Sequence, residues 1–149
     1  MTGAEIVAEA RRWIGVPFAH QGRTRAGTDC GGLIGGVAVA LGIVPVDWWE
    51  RTFDRSQGGY SRQPSHGQLR RICDAFMREI EIDDAQPGDV ALMRFRAEPM
   101  HMGILADYRH GGMSIVHALA SVGAVCEHRM SALWRDRVVA VYRMPVVVA

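Results

Sequence analysis

The sequence predicts an α+β domain, and three observations carry that prediction. Up to about residue 80 the apolar residues recur at helical spacing. From Pro87 onward they fall into short strand-like runs separated by turn residues. No internal repeat or low-complexity stretch interrupts either half. The 149 residues suit one ordinary domain, so 1–149 is read as a single unit.

Thr2 followed by Glu5 forms a capping box for a first helix. Behind it Ile6, Val7, Ala10, Trp13 and Ile14 share one face, and Gly15 and Pro17 end the helix. A loop rich in Gly, Arg and Thr runs over 18–28. A second helix starts at Thr28 or Asp29 and ends near Gly42, with Pro45 beyond it. Leu33, Ile34, Val37, Val39 and Leu41 make it apolar on every side, as suits a core helix. Glycines at 31, 32, 35 and 36 each cost up to about 1 kcal/mol in a helix interior, so close approach of another backbone is their expected use.

Residues 47–66 are irregular and hold Trp48, Trp49, Gln57, Gly58, Gly59 and Pro64. Ser65 and Gln68 offer a further capping box, and Leu69, Ile72, Cys73, Phe76 and Ile80 stripe a third helix over 67–80. Strand-like runs follow at 89–95, 101–106, 113–119, 122–128 and 137–144 and read as an antiparallel meander.

Composition excludes some classes of function. A formal net charge of +1 gives no electrostatic basis for nucleic-acid binding. No apolar run approaches the roughly 18 residues that span a bilayer, so no membrane partner is expected. The first residues carry Glu5 and Glu9 and do not read as a signal peptide. Synthesis in the cytoplasm is therefore expected, with any passage outside it relying on something other than a leader.

Cys30, Cys73 and Cys126 form no C-x-x-C pair, and their odd count leaves at least one thiol free. Cys73 lies on the stripe of the third helix, and Cys126 lies in a strand with Val122 and Ala124; both read as packing. Cys30 differs, because it stands at the start of a helix, in Thr28-Asp29-Cys30-Gly31-Gly32. The partial positive charge at a helix N-terminus favours the thiolate, and the glycines leave backbone N–H groups open where an oxyanion would form. Against this stands the plain reading of a small core residue. Asp29 likewise reads first as the helix cap, worth about 1 kcal/mol.

Of the six histidines, His101 opens one strand-like run and His117 lies in the next. The loop between them centres on residue 109, so the two rings could stand directly opposite each other on one face. That suits one imidazole orienting the other, and a slip of one residue would separate them. Two half-buried strand histidines are the plainer alternative. His20 is ambiguous, and His66, His110 and His128 read as loop or surface residues. The spacing lacks the zinc signatures, although a metal held by Cys30, His101 and His117 stays open. No G-x-S-x-G, phosphate loop or dinucleotide fingerprint occurs.

The blocks Gly15-Val16-Pro17-Phe18, Asp29-Cys30-Gly31-Gly32-Leu33-Ile34, Pro87-Gly88-Asp89-Val90-Ala91-Leu92, His101-Met102-Gly103-Ile104 and Val116-His117-Ala118 together resemble the NlpC-type cysteine peptidases, papain-like cell-wall hydrolases. The resemblance runs from about residue 4 to at least 144. It implies Cys30 as nucleophile, His101 as base and His117 as the ring that orients it. It implies a helix bearing the cysteine, packed on a roughly five-stranded antiparallel sheet bearing both histidines, with the helix glycines against the sheet. The implied substrate is the peptidoglycan stem peptide, often cut between D-glutamate and diaminopimelate. No cofactor and no metal are implied, since a thiol–imidazole pair needs none. Substrate-facing positions by the same resemblance are Phe18, His20, Asp29 and Gly31. Phe18 stands where the family commonly has Tyr, and Gly31 where it commonly has Ser. Oxyanion stabilisation then falls to backbone N–H groups, His20 or Gln21.

The string Phe18-Ala19-His20-Gln21-Gly22 is similar to the phage-tail branch, whose members sit at the tail tip and open the wall for DNA delivery. That implies other tail-tip proteins as partners and a virion location. Two alternatives are carried with it. One is a structural tail-tip or assembly protein that docks through Trp48, Trp49 and Phe53; the other is a secreted antibacterial amidase effector.

Overall fold

The computed structural model describes residues 1–48, 66–95 and 99–145. Helix α1 (Gly3–Arg11) begins on the expected capping box: Glu5 N–H donates to Thr2 Oγ1 at 3.3 Å, and Thr2 N–H donates to Glu5 Oε2 at 2.6 Å. Ile6, Val7, Ala10 and Trp13 are buried as the stripe requires, but Ile14 is exposed because the helix has already ended. A small hairpin, β1 (Arg23–Thr24) and β2 (Gly27–Thr28), folds the following loop. Helix α2 (Cys30–Ala40) then runs through the core.

Two of the α2 glycines, Gly32 and Gly36, serve the preceding loop and α1 rather than the sheet. A Cβ on Gly32 would collide with the Gly22 carbonyl of the preceding loop, and one on Gly36 would enter the Trp13 indole of α1. Leu33, Ile34, Val37 and Ala38 are the residues α2 contributes to the main core.

Helix α3 (His66–Phe76) stops four residues earlier than its apolar stripe suggested, and Arg78–Ile80 instead forms strand β3. Ile80 continues the helical spacing yet belongs to a strand paired with the far end of the chain. Tyr142 ties α3 to that partner, accepting from Arg70 Nη1 at 3.0 Å and donating to Asp74 Oδ1 at 3.1 Å. Trp48 packs edge-on against Phe76 and, partly buried, against the core. Trp49, Phe53 and Ser65 lie outside the described residues, as does the side chain of Gln68, its partner in the expected capping box.

Strands β4 (Val90–Arg94), β5 (Pro99–Asp107), β6 (Met113–Leu119) and β7 (Ala124–Arg129) form the expected antiparallel run. After the short helix α4 (Ala132–Arg135), β8 (Val138–Arg143) breaks the meander and pairs with β4. Among the described residues the sheet thus has six strands rather than five, in the order β3-β8-β4-β5-β6-β7. The outer edge of β7 is already occupied. Gly15 N–H donates to Val125 O, Val125 N–H to Val16 O, and Phe18 N–H to Gly123 O, all at 2.8–2.9 Å. The Gly-Val-Pro-Phe block is therefore an edge cover that starts the loop before Cys30.

A buried ion pair holds β8 on the opposite side. Arg143 donates through Nε and Nη2 to the two Asp89 oxygens, both at 2.9 Å, and Gln86 N–H adds a bond to Oδ2 at 2.8 Å. The sheet has two covered faces. Val90, Leu92, Met102, Ile104 and Val116 meet the helices, while Ala91, Met93, Leu105, Ile115 and Val141 pack beneath Trp134 and Met130.

Removing one partner of the Asp89–Arg143 pair strands the other charge, which costs about 3–5 kcal/mol. Asp89→Ala should lower the urea midpoint accordingly, and Arg143→Met together with Asp89→Leu should recover most of that loss.

Candidate active site

Cys30 is the first residue of α2, and Asp29 caps it: Gly32 N–H donates to Asp29 Oδ1 at 2.8 Å. The other carboxylate oxygen accepts from Gln21 N–H at 2.7 Å. Gln21 has φ 58°, in the left-handed region that a residue with a side chain seldom enters, and this bond holds it there. One buried carboxylate therefore fixes both the helix start and the loop beside it. Its two oxygens accept from backbone N–H groups, so Asp29 acts on the site as a cap and as a negative charge.

The thiol lies where β5 and β6 part. Their pairing runs from Asp107↔Met113 to Ile104↔Val116, short of Gly103 and His117. Leu105 N–H donates to Asp89 O, so by alternation the Met102 N–H points away from β4 and into the gap. There it faces the Cys30 sulfur, as do the N–H groups of Gly31 and of Cys30 itself. Burial pushes the thiol up to about 12, the Asp29 charge adds to that, and the three N–H groups oppose it. Cys73 is fully buried, its Sγ 3.5 Å from the Met102 sulfur, and burial raises its thiol as well.

His101 and His117 lie on one face of the sheet, as the sequence suggested, but the register is shifted by two residues. Leu105 pairs with Ile115, which sets His117 beside Gly103 and diagonal to His101. The absence of a side chain at Gly103 makes the diagonal contact possible, because a Cβ there would stand 3.0 Å from the His117 Cβ. The face is the one beneath Trp134, opposite the helices. Cys30 approaches from the helix side and the imidazoles from the other, and the two meet only at the gap. Among the described residues no hydrogen bond joins Cys30 to His101; a single step of backbone, from His101 to Met102, separates them.

His128, read from the sequence as a loop or surface residue, belongs to this group. It is half-buried on β7, and three imidazoles form a chain with it. His101 Nε2 lies 2.6 Å from His117 Nδ1, His117 Nε2 lies 2.8 Å from His128 Nε2, and His128 Nδ1 lies 2.9 Å from the Arg129 carbonyl. A carbonyl only accepts, which fixes every tautomer in the neutral chain. His128 carries its proton on Nδ1, His117 on Nε2 and His101 on Nε2. The one lone pair left over is His101 Nδ1. His128 could have been found from the second hairpin, since β6 pairs His117 with Cys126 and so places residue 128 on the same face.

Burial holds His101 down near 3, with Arg137 and His128 adding repulsion. Burial holds His117 down to about 2, with His101 and His128 contributing. Arg137 stacks over Phe95 at 5.0 Å and Trp134 at 4.5 Å, and Phe95 lies 5.2 Å from the His101 ring. The ring nitrogens of His101 and His117 are too close for two ligands of one zinc, which stand roughly 3.3 Å apart. No cluster of metal-ligating residues occurs among the described residues.

Of the other positions singled out, Phe18 is half-buried against the core, His20 is half-buried in the loop, and Gly31 is buried in the first turn of α2. With Gln21 N–H bound to Asp29, the N–H groups of Cys30 and Gly31 at the start of α2 are left beside the sulfur, together with that of Met102.

The profile of the NlpC/P60 family matches residues 15–143. The NlpC/p60 domain of the peptidoglycan hydrolase SagA has a similar structure, with a TM-score of 0.65 and 23% identity over 97% of this chain and 100% of that one. An N-acetylmuramoyl-L-alanine amidase from Bacteroides uniformis gives 0.69 and 11% identity over 95% of this chain and 98% of that one. A lipoprotein-like NLP/P60 protein from Staphylococcus aureus gives 0.57 and 20% identity over 99% of this chain, which spans only 42% of that protein. A search of the curated proteins finds no match.

The lowered imidazole values set an acid limit on stability. The unfolded chain takes up protons near 6.5, while folded His101 and His117 stay neutral until about 3 and 2. Stability is complete above 6.5 and falls below it, by up to about 1.4 kcal/mol per pH unit for each ring. Urea midpoints should drop between neutral pH and pH ~5, and His117→Asn should flatten that drop.

Proposed function

Since the chain belongs to the NlpC/P60 family, whose members are cysteine peptidases of the cell wall, we propose that it hydrolyses peptidoglycan stem peptides with Cys30 as nucleophile, His101 as general base and His117 as the orienting ring. The observation that carries this reading is the tautomer chain. It leaves one unshared lone pair, on His101 Nδ1, next to the backbone step that holds the Cys30 sulfur.

At rest the pair is a neutral thiol and a neutral imidazole, since burial disfavours both charged forms. When a substrate carbonyl reaches the sulfur, His101 Nδ1 takes the thiol proton and the sulfur attacks. The Cys30 and Gly31 N–H groups, at the positive end of α2, receive the developing oxyanion. His101 then gives the proton to the leaving amine, and water releases the acyl group by the reverse path. Phe18 and His20 form the loop wall beside the sulfur in this reading, and Asp29 holds that wall in place through Gln21.

We propose the bond between D-glutamate and diaminopimelate as the one cut, and the phage tail tip as the place of work, with neighbouring tail proteins as partners. Support for the tail assignment is the Phe18–Gly22 string.

Purified protein should release stem fragments from isolated sacculi, read by mass spectrometry, with Cys30→Ala releasing none and added chelator changing nothing. Intact sacculi after treatment with the wild-type protein would sink the reading. Fragment masses identify the bond: a new diaminopimelate amino terminus supports the endopeptidase, and a free lactyl carboxylate indicates an amidase.

A further inference from the structure

We propose that His128 is the outer end of a proton relay: a proton accepted at His101 Nδ1 is handed through His117, so that the positive charge comes to rest on His128. The inference rests on the assignment of Cys30 and His101 given above.

The hydrogen-bond chain supplies the path. As the S–H bond of Cys30 breaks, an N–H bond forms at His101 Nδ1. The Nε2 proton of His101 moves 2.6 Å along the contact to His117 Nδ1. The Nε2 proton of His117 moves along the 2.8 Å contact to His128 Nε2. Each inner ring loses one N–H bond and gains one, and His128 gains one. No electron is lost or gained. The products are a Cys30 thiolate and a His128 imidazolium, whose Nδ1–H still donates to the Arg129 carbonyl.

A carboxylate in the orienting position does not take the proton, because it is much the weaker base. Three imidazoles have no such mismatch, so surroundings decide where the charge settles. His101 and His117 are buried at 5% and 0% exposure, and Arg137 repels a charge on His101. His128 is half-buried and has a carbonyl acceptor. The groups facing it are His117 from β6, Trp134 from α4 at 4.9 Å, Arg137 stacked on that indole, and the Arg129 carbonyl of its own strand. The Arg129 guanidinium is turned away, over Tyr108.

The same chain makes an acid switch. A proton taken from solvent produces the same relay state in advance: His128 is charged, His117 carries Nδ1–H, and His101 presents Nδ1–H to the thiol. The base is then already loaded and cannot accept.

Ring-nitrogen NMR of the wild-type protein, followed as the pH is lowered, reads this directly. One midpoint should bring the second proton on His128 and the change of His101 from Nε2–H to Nδ1–H. If His101 keeps Nε2–H while His128 titrates, the relay is wrong. His128→Gln keeps an acceptor for His117 but cannot take a proton. Alkylation of Cys30 by iodoacetamide, mapped by mass spectrometry, should slow roughly 10- to 100-fold in that variant at neutral pH. A rate equal to wild type would reduce His128 to a spacer and overturn the proposal. Should the variant not fold, the wild-type spectra decide alone. Neither readout needs peptidoglycan, so a failed sacculus digestion leaves this test standing.

Discussion

The pairing of β5 with β6 stops at Ile104↔Val116, and the candidate chemistry depends on that stop. One more rung would have taken the Met102 N–H into the ladder and closed the gap through which the two faces of the sheet communicate. Because the strands part there, a helix terminus on one face and a row of imidazoles on the other meet across a single peptide unit. Gly103 is part of the same constraint, since its missing side chain lets the two rings touch diagonally. A backbone feature therefore places the groups, and the side chains are chosen to fit it.

The site is held from behind by bonds that serve no other purpose. Asp29 joins the loop to the helix, the edge segment Gly15–Phe18 joins the loop to β7, and Asp89 with Arg143 pins β4 to β8. Each element that carries a reactive group is thereby tied to an element distant in sequence. Rigid placement suits a mechanism whose resting state is uncharged. A thiol and an imidazole that do not attract one another as ions need geometry imposed on them.

Much of this was legible in the sequence. The capping box of α1, the cap on α2, the stripe of α1 and the strands β4 to β8 follow from local chemistry, which survives folding. What the sequence concealed is tertiary. The β3 strand hides in the continuation of a helical stripe, because Ile80 satisfies both periods. The course of β8 depends on which edge is already covered, and that follows from hydrogen bonds between residues 15–18 and 123–125. The register of the histidine hairpin depends on where its turn begins; Asp107 pairs with Met113, which moves the centre from residue 109 to 110 and each partner by two. The parity survived, so the shared face was legible while the contact was not. His128 was overlooked because a polar residue near a strand end looks the same whether it faces solvent or a neighbouring ring.

The edge segment has a consequence for the order in which the molecule forms. Gly15 and Phe18 bond residues more than a hundred positions later, so the loop that shapes the start of α2 has nothing to rest on until β7 exists. A nascent chain that has emerged only through α2 carries the cysteine without its surroundings, as an ordinary exposed thiol on an unfinished polypeptide. Contacts of such long range make folding slow and place its decisive step late in synthesis. The sequestered, proton-bearing thiol is thus a property of the finished chain, acquired when the last strands dock and lost as soon as they detach.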